Sequence, residues 1–473
     1  MSTPAAPARD VFAWISEIDA ASLLAVAAGR LASVEDAAAA ARAILAVRAA
    51  AEAPGAERPA DYLDIQPRLR AQAGTAADAI HIGRSRQDIL ATVHRLLLRD
   101  RLCDVSAALL EVRRALVARA QEDLHTLVPA YTNGVQAQPT TFGHLALGYD
   151  EALARASQRL AQAYARVNRS PLGAAALATT AHGVDRGRLA ALLGFDGPEE
   201  NAFDAAQLAP VDIGFDAASA AMGLALTVST WVQDVFAQYH HARPWIVLTA
   251  PELLTPSTLM PQKRNPVALG RVRLLAGEVL GDGMRAALTG HNVPSGVTDY
   301  KRYDAAETLD RAARMLAELL GVLSGLRVDA EAALAELGAE FATASHAAYV
   351  IEQEAQVPAA QAHAVVSALV DDARGRGVGS SGVGADDVGR AFEAVTGSPW
   401  RGDAERVRTA FQPGAMVAAA RGTGGPQPRE LDRMLRIAED RIETDSALLR
   451  RAVERLRTVD AQRERALRAL AGT

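Results

Sequence analysis

The sequence predicts an all-α protein of three domains built around a central bundle of long helices, and three observations predict it. Ala, Leu, Val and Arg dominate, while β-branched and aromatic runs alternating with period two are scarce. Segments 143–167, 215–242, 263–290 and 304–327 place apolar residues at three- and four-residue spacings, and helices of that length pack side by side. Pro and Gly punctuation divides the chain near residues 105 and 360.

Taken in order, residues 1–105 form an N-terminal helical domain containing the loop EAPGAERPAD, residues 106–360 the central bundle, and residues 361–473 a C-terminal helical domain with the loops GRGVGSSGVGAD and RGTGGPQP. In that last domain Gly377-Val378-Gly379-Ser380-Ser381-Gly382 has the spacing of a dinucleotide-binding glycine pattern. It follows the helical run AVVSALVDDAR where a Rossmann unit needs a strand, so it reads as a helix-to-helix loop.

The bulk numbers exclude several classes. A chain of 473 residues buries a large core without staples. Fifty basic and 56 acidic side chains leave a formal charge of −6, which gives no sign of a nucleic-acid partner. The single cysteine, Cys103, has no partner for a disulfide and no companion at metal-ligand spacing; a reducing, cytoplasmic setting fits. The N-terminus carries acidic residues too early for a signal peptide, and the longest apolar stretches read as broken by charge before they reach membrane-spanning length. No metal and no cofactor are expected.

Three polar stretches interrupt this background: HIGRSRQD (81–88), YTNGVQAQPTT (131–141) and STLMPQKRNP (257–266). Each precedes a long helix. Helix-start amides carry partial positive charge and unpaired donors, so Arg84, Arg86 or Lys263 placed there makes a site for a small anion. Singly, each stretch has a plainer reading: Arg84 and Arg86 as loop charges, Thr132 and Thr140 as helix caps, Ser257 as a surface hydroxyl. Together they carry more weight.

The stretch TPSTLMPQKRNP resembles the G-S-S-x-M-P-x-K-x-N-P signature of the fumarase/aspartase superfamily. HIGRSRQD is similar to the H-T-G-R-S-R-N-D of its argininosuccinate lyase branch, and YTNGVQAQPTTFGH to that branch's Y-T-H-x-Q-x-A-Q-P-x-T-x-G-H. FQPGAMVAAARGTGGPQP follows the branch's tail pattern, so the likeness runs in order from about residue 60 to 430. It implies a homotetramer in which central helices of four copies assemble and each active site draws on three subunits.

The resemblance also implies a reaction: β-elimination from a succinyl compound, releasing fumarate and an amine, amidine or alcohol. Ser257 matches the base that removes the Cβ proton, and Lys263 and Asn265 match the groups that hold the carboxylate as it takes up charge. Ser85 and Arg86 match carboxylate ligands, and Thr132 and Gln138 further substrate contacts; Gln87, Asn133, Thr258 and Met260 complete the expected substrate surface. A loop over 250–262 is expected to close on the substrate.

The departures matter as much. The family has a His at the position of Asn133 and a Glu at that of Gly270, a pair that assists proton transfer. Asn does not titrate near neutrality, so a proton donor must come from elsewhere, with His144, His81 and Tyr300 as candidates. Gln87 and Pro256 also differ, and the substrate-gripping Lys of the argininosuccinate enzymes falls at Ala305 or Ala306, with Lys301 or Arg302 as a shifted anion contact. The reading is a C–N lyase for an N-substituted aspartate. Its alternatives are a true argininosuccinate lyase and a non-catalytic helical tetramer on the same scaffold.

Overall fold

The structure, a computed structural model, describes residues 9–297 and 304–473. Among these, helices α1 (Val11–Ala28), α2 (Val34–Glu52) and α3 (Tyr62–Ala73) open the chain, and the side chains of Asp10, Ser33 and Asp61 cap their first turns. Their apolar faces close on one core with Ile15, Ile18, Leu23, Ile44 and Ile65 buried. Helix α1 is long and apolar enough to cross a membrane by length and composition, as is the segment 204–238. This corrects the expectation that charge breaks every such run. The charges on α1, Glu17 and Asp19, are paired inside the protein, the first with Arg9 and Arg463 and the second with Arg84.

Helix α4 (Arg86–Glu122) is followed by a hairpin of β1 (Leu127–Thr132) and β2 (Val135–Thr141), then by α5 (Phe142–Val167) and the short α6 (Arg186–Leu192). Helix α7 (Ala209–Gln238) leads to β3 (Ile246–Leu248) and to a minimal hairpin of β4 (Thr255–Pro256) and β5 (Arg264–Asn265). Helices α8 (Val267–Gly290) and α9 (Asp304–Gly325) follow, and β6 (Leu326–Val328) pairs antiparallel with β3. Helices α4, α5, α7, α8 and α9 pack together as the central bundle. Their shared core runs from Leu98 to Leu326.

The remaining helices are α10 (Ala330–Ala339), α11 (Ala344–Ala355), α12 (Ala359–Gly375), α13 (Ala385–Thr396), α14 (Ala404–Ala410), α15 (Pro413–Ala419) and α16 (Pro428–Ala471). Helices α11 to α14 enclose a third core around Ile351, Leu369, Phe392 and Phe411. The glycine run at 377–382 links α12 to α13. Residue 105 falls inside α4 and residue 360 at the start of α12. Helix α16 returns across the molecule, with Leu431, Leu435 and Ile442 in the central core and Leu467 in the N-terminal one. Arg113 of α4, fully buried, bonds Asp150 of α5 and Asp445 of α16 at 2.8 and 2.7 Å, which fixes those three helices in one register.

Candidate active site

Residues Ser85, Arg86 and Gln87 sit at the first turn of α4. Ser85 is its N-cap, accepting from the Gln87 amide at 3.0 Å, and Asp88 returns a bond from the Ser85 amide at 2.8 Å. The other Asp88 oxygen accepts from the amides of Gly173 and Ala175 at 2.8 and 2.9 Å, so the loop after α5 is fastened beneath this turn. Burial pushes the Asp88 carboxyl up to about 6 against those three amides. The two arginines diverge. Arg84 is turned inward, 2.5 Å from Asp19, 3.1 Å from Ser22 Oγ and stacked over the Tyr62 ring, so the expectation of an anion ligand at 84 gives way to a structural role. Arg86 lies 2.7 Å from Asp61 with its side chain 38% exposed.

Thr132, Asn133 and Gln138 lie on the β1–β2 hairpin. Asn133 (φ 53°) and Gly134 (φ 77°) form its two-residue turn, in the left-handed region that Asn and Gly accept most readily. Thr132 pairs with Val135 and Gln138 with Ala130. The helix cap beside it is Thr141, which accepts from the His144 amide at 3.1 Å; Thr140 instead bonds His144 Nδ1 at 2.8 Å.

Ser257, Thr258, Met260, Lys263 and Asn265 share the β4–β5 hairpin, brought together by pairing of Thr255 with Asn265 and Pro256 with Arg264. Helix α8 therefore starts at 267 and not 263. The amides of Leu259 and Met260 donate to Ser257 Oγ at 3.3 and 3.1 Å, and the Ser257 amide donates to the Lys263 carbonyl at 3.2 Å. Asn265 Nδ2 donates to the Thr255 carbonyl at 3.2 Å. Only Lys263 and Lys301 among the 50 basic residues are lysine, and Lys263 is exposed with no ion pair among the described residues. Two amides on a hydroxyl oxygen favour its anionic form.

The first and second stretches stand at opposite ends of α4. At 1.5 Å per residue its 37 residues span about 55 Å, and β1, with six residues, returns only about 20 Å of that. One copy of the chain therefore does not bring Arg86 and Thr132 to the same small molecule.

Of the candidate proton donors, His144 has both ring nitrogens occupied, Nδ1 by Thr140 and Nε2 by the Gly424 carbonyl at 2.9 Å. His81 stacks on Tyr62 and bonds its hydroxyl at 3.0 Å through Nδ1, and burial holds its pKa below the usual histidine range. Tyr300, Lys301 and Arg302 lie outside the described residues. Ala305 and Ala306 are buried in the central core, so neither position presents a side chain to solvent. Gly270 on α8 faces open space, with nothing within 4 Å of where a Cβ would sit.

Sequence reasoning missed one polar cluster beside Asn133. His241, just past α7, places Nδ1 3.3 Å from Glu336 Oε2, and Tyr131 Oη donates to Glu336 Oε1. Trp245 Nε1 donates to Tyr131 Oη at 3.0 Å. His241, Tyr131, Trp245, Asn133 and Gly134 together line a cavity of about 420 Å³. The signal available in sequence was the Asn-Gly dipeptide at 133–134, which marks a hairpin tip; nothing local ties 131 to 336.

Comparison with known proteins agrees with this architecture. The family described as Lyase matches residues 32–281. An argininosuccinate lyase of Halobacterium salinarum is 36% identical over 384 residues, covering 80% of this chain and 76% of that protein. One from a Chelativorans species is 30% identical, covering 82% and 80%. The crystal structure of EDDS lyase in complex with formate superposes with a TM-score of 0.89 at 27% identity, covering 98% of this chain and 92% of that one. By sequence and fold together, the chain belongs to the fumarase/aspartase superfamily of lyases, in its argininosuccinate lyase-like branch.

Proposed function

We propose that this protein is a carbon–nitrogen lyase that eliminates an amine or amidine from an N-substituted aspartate and releases fumarate. The observation that carries the reading is the β4–β5 hairpin, where the Ser257 hydroxyl receives two backbone amides within six residues of Lys263, which makes no ion pair among the described residues, in a chain of this family. A serine is a poor base unless its alkoxide is stabilised, and those donors supply that stabilisation. Ser257 takes the Cβ proton. The electron pair left behind moves into the adjacent carboxylate, which Lys263 and Asn265 hold as a dianion, and the C–N bond then breaks to give fumarate.

Ser85 and Arg86, at the positive end of α4, bind the substrate's other carboxylate; Gln87, Thr132, Asn133, Gln138, Thr258 and Met260 shape the remaining surface. The span of α4 supports a homotetrameric site completed by neighbouring copies. So do the large apolar side chains exposed along α7 and α8, Leu226, Leu274, Met284 and Leu288, each more than half exposed in the single chain. The three cores fit the three-domain division of the family, and the single cysteine fits a cytoplasmic setting.

Argininosuccinate itself is the second reading, favoured by the identity to enzymes of that name. Against it stand Asn133, Gly270 and the buried alanines at 305 and 306. The test is to incubate the protein with argininosuccinate and a panel of N-alkyl and N-aryl aspartates and follow the ultraviolet absorbance of fumarate. Turnover by wild type that is lost in Ser257→Ala supports the proposal. Equal activity of the two, or silence of both on every compound, refutes it.

A further inference from the structure

The loss of a titratable group at position 133 leaves the departing nitrogen without an obvious proton source, and the geometry around the hairpin points to a replacement. We propose that His241, positioned by Glu336 and Tyr131, delivers the proton to the leaving nitrogen. This rests on the elimination reading above.

Glu336 is pinned from two directions, by the Tyr131 hydroxyl on one oxygen and by His241 Nδ1 at 3.3 Å on the other. Tyr131 is itself fixed by the buried Trp245, whose indole donates to it at 3.0 Å, and its ring meets the imidazole edge-on at 5.9 Å between centroids. Nδ1 is the ring nitrogen at ion-pair distance from the carboxylate, without a hydrogen bond to it, so Nε2 is the one left to act; it makes no hydrogen bond among the described residues. Both ring nitrogens of His144 are occupied and His81 is held against Tyr62, so neither has this freedom. The His241 ring is about one-third exposed, and the cavity it borders is also lined by Asn133 and Gly134 at the hairpin tip. An imidazole beside a carboxylate at the edge of a cavity is an arrangement suited to proton delivery.

His241 also borders a second cavity, of about 670 Å³, lined by Glu336 and Glu340 from α10 and its end and by Arg374 from α12, which pairs with Glu340 at 3.3 Å. On the same side as His241, Asp234 of α7 is bonded by Tyr149 of α5. His240 turns its ring toward Phe236.

The Ser257 alkoxide removes the Cβ proton, and the C–H electron pair becomes the new C=C bond by way of the aci-carboxylate. The C–N bond breaks, its electron pair forms an N–H bond with the His241 Nε2 proton, and the amine leaves neutral. Imidazole is left uncharged, and transfer of the serine hydroxyl proton back to it through water restores both groups.

The test uses the assembled enzyme and two variants, His241→Gln and Glu336→Gln, assayed across pH on N-alkyl and N-aryl aspartates. His241→Gln is expected to lower kcat about 10²- to 10⁴-fold, with KM within a few-fold of wild type. It should also erase the alkaline limb of the kcat profile, and its deficit should shrink on N-aryl substrates, whose weakly basic amines leave without help. Glu336→Gln should lower kcat less than His241→Gln does and keep an alkaline limb, since the imidazole is still present. A merely structural role predicts equal losses on all substrates and an unchanged limb, and that result, or full activity in His241→Gln, overturns the inference. Wild type that releases no fumarate from any substrate overturns the elimination reading, and this inference with it.

Discussion

Arg84 and Arg86 are two residues apart, and the structure buries the first while leaving the second partly exposed, a difference that a single experiment reads. Replace each in turn with Met. At 2.5 Å from Asp19 and an effective dielectric near 20, the Arg84 attraction is about 7 kcal/mol, most of it offset by the desolvation of two side chains that are each 2% exposed. What Arg84→Met measures is the cost of leaving Asp19 buried and alone, about 3–5 kcal/mol. Arg86 and Asp61, 38% and 33% exposed, are screened by water, so Arg86→Met costs under about 1 kcal/mol of stability. The assay is the denaturation midpoint of each variant, read beside KM for a turned-over aspartate derivative. The midpoint is used because a chain of 473 residues with three separate cores is not expected to unfold in two states. Arg84→Met should lower the midpoint strongly, and the double variant Arg84→Met, Asp19→Asn should recover much of the loss. Arg86→Met should hold its midpoint and raise KM. A stable Arg84→Met enzyme that has lost substrate binding would refute the structural assignment.

Three further outcomes follow from the geometry. Asn133→Val should destabilise the β1–β2 hairpin by about 1–2 kcal/mol because a β-branched residue is forced to φ 53°, whereas Asn133→Gly should leave it intact; limited proteolysis at the turn distinguishes them. Gly270→Ala should raise stability by about 0.5–1 kcal/mol, read from the denaturation midpoint, since helical glycine is replaced where a Cβ meets nothing within 4 Å. The Cys103 thiol is pushed up to about 12 by burial, so at pH 8 only about one molecule in ten thousand carries the thiolate. Iodoacetamide should therefore modify it slowly in the native protein and readily in denaturant, by mass spectrometry.

The central helices were legible because a three- to four-residue apolar period survives any tertiary context, and α5 and α9 start within a residue of where the period begins. The start of α8 was misplaced because Lys263 to Pro266 belong to a hairpin closed by backbone pairing ten residues back. The β1–β2 hairpin carried a readable mark, Asn133-Gly134, but its strands lack clean alternation and sat within a polar stretch. Helix α1 was misread because Glu17 and Asp19 look like breaks in an apolar run; their partners lie at Arg9, Arg84 and Arg463, and pairing across such separations is written only in the fold. The same holds for Arg84 as a site candidate. Ser257, Lys263 and Asn265 were legible as a group because they share ten residues of chain, and the His241–Glu336 pair was not, since 95 residues separate its members.

The most direct test of the account is the structure of the assembled Ser257→Ala protein with an unreacted N-substituted aspartate bound. The account predicts one ligand whose carboxylates meet Lys263 of one copy and Arg86 of another, with Thr132 and Gln138 of a third copy beside it and position 257 facing Cβ. A ligand held within one chain, or Lys263 pointing to solvent remote from every bound carboxylate, would contradict it.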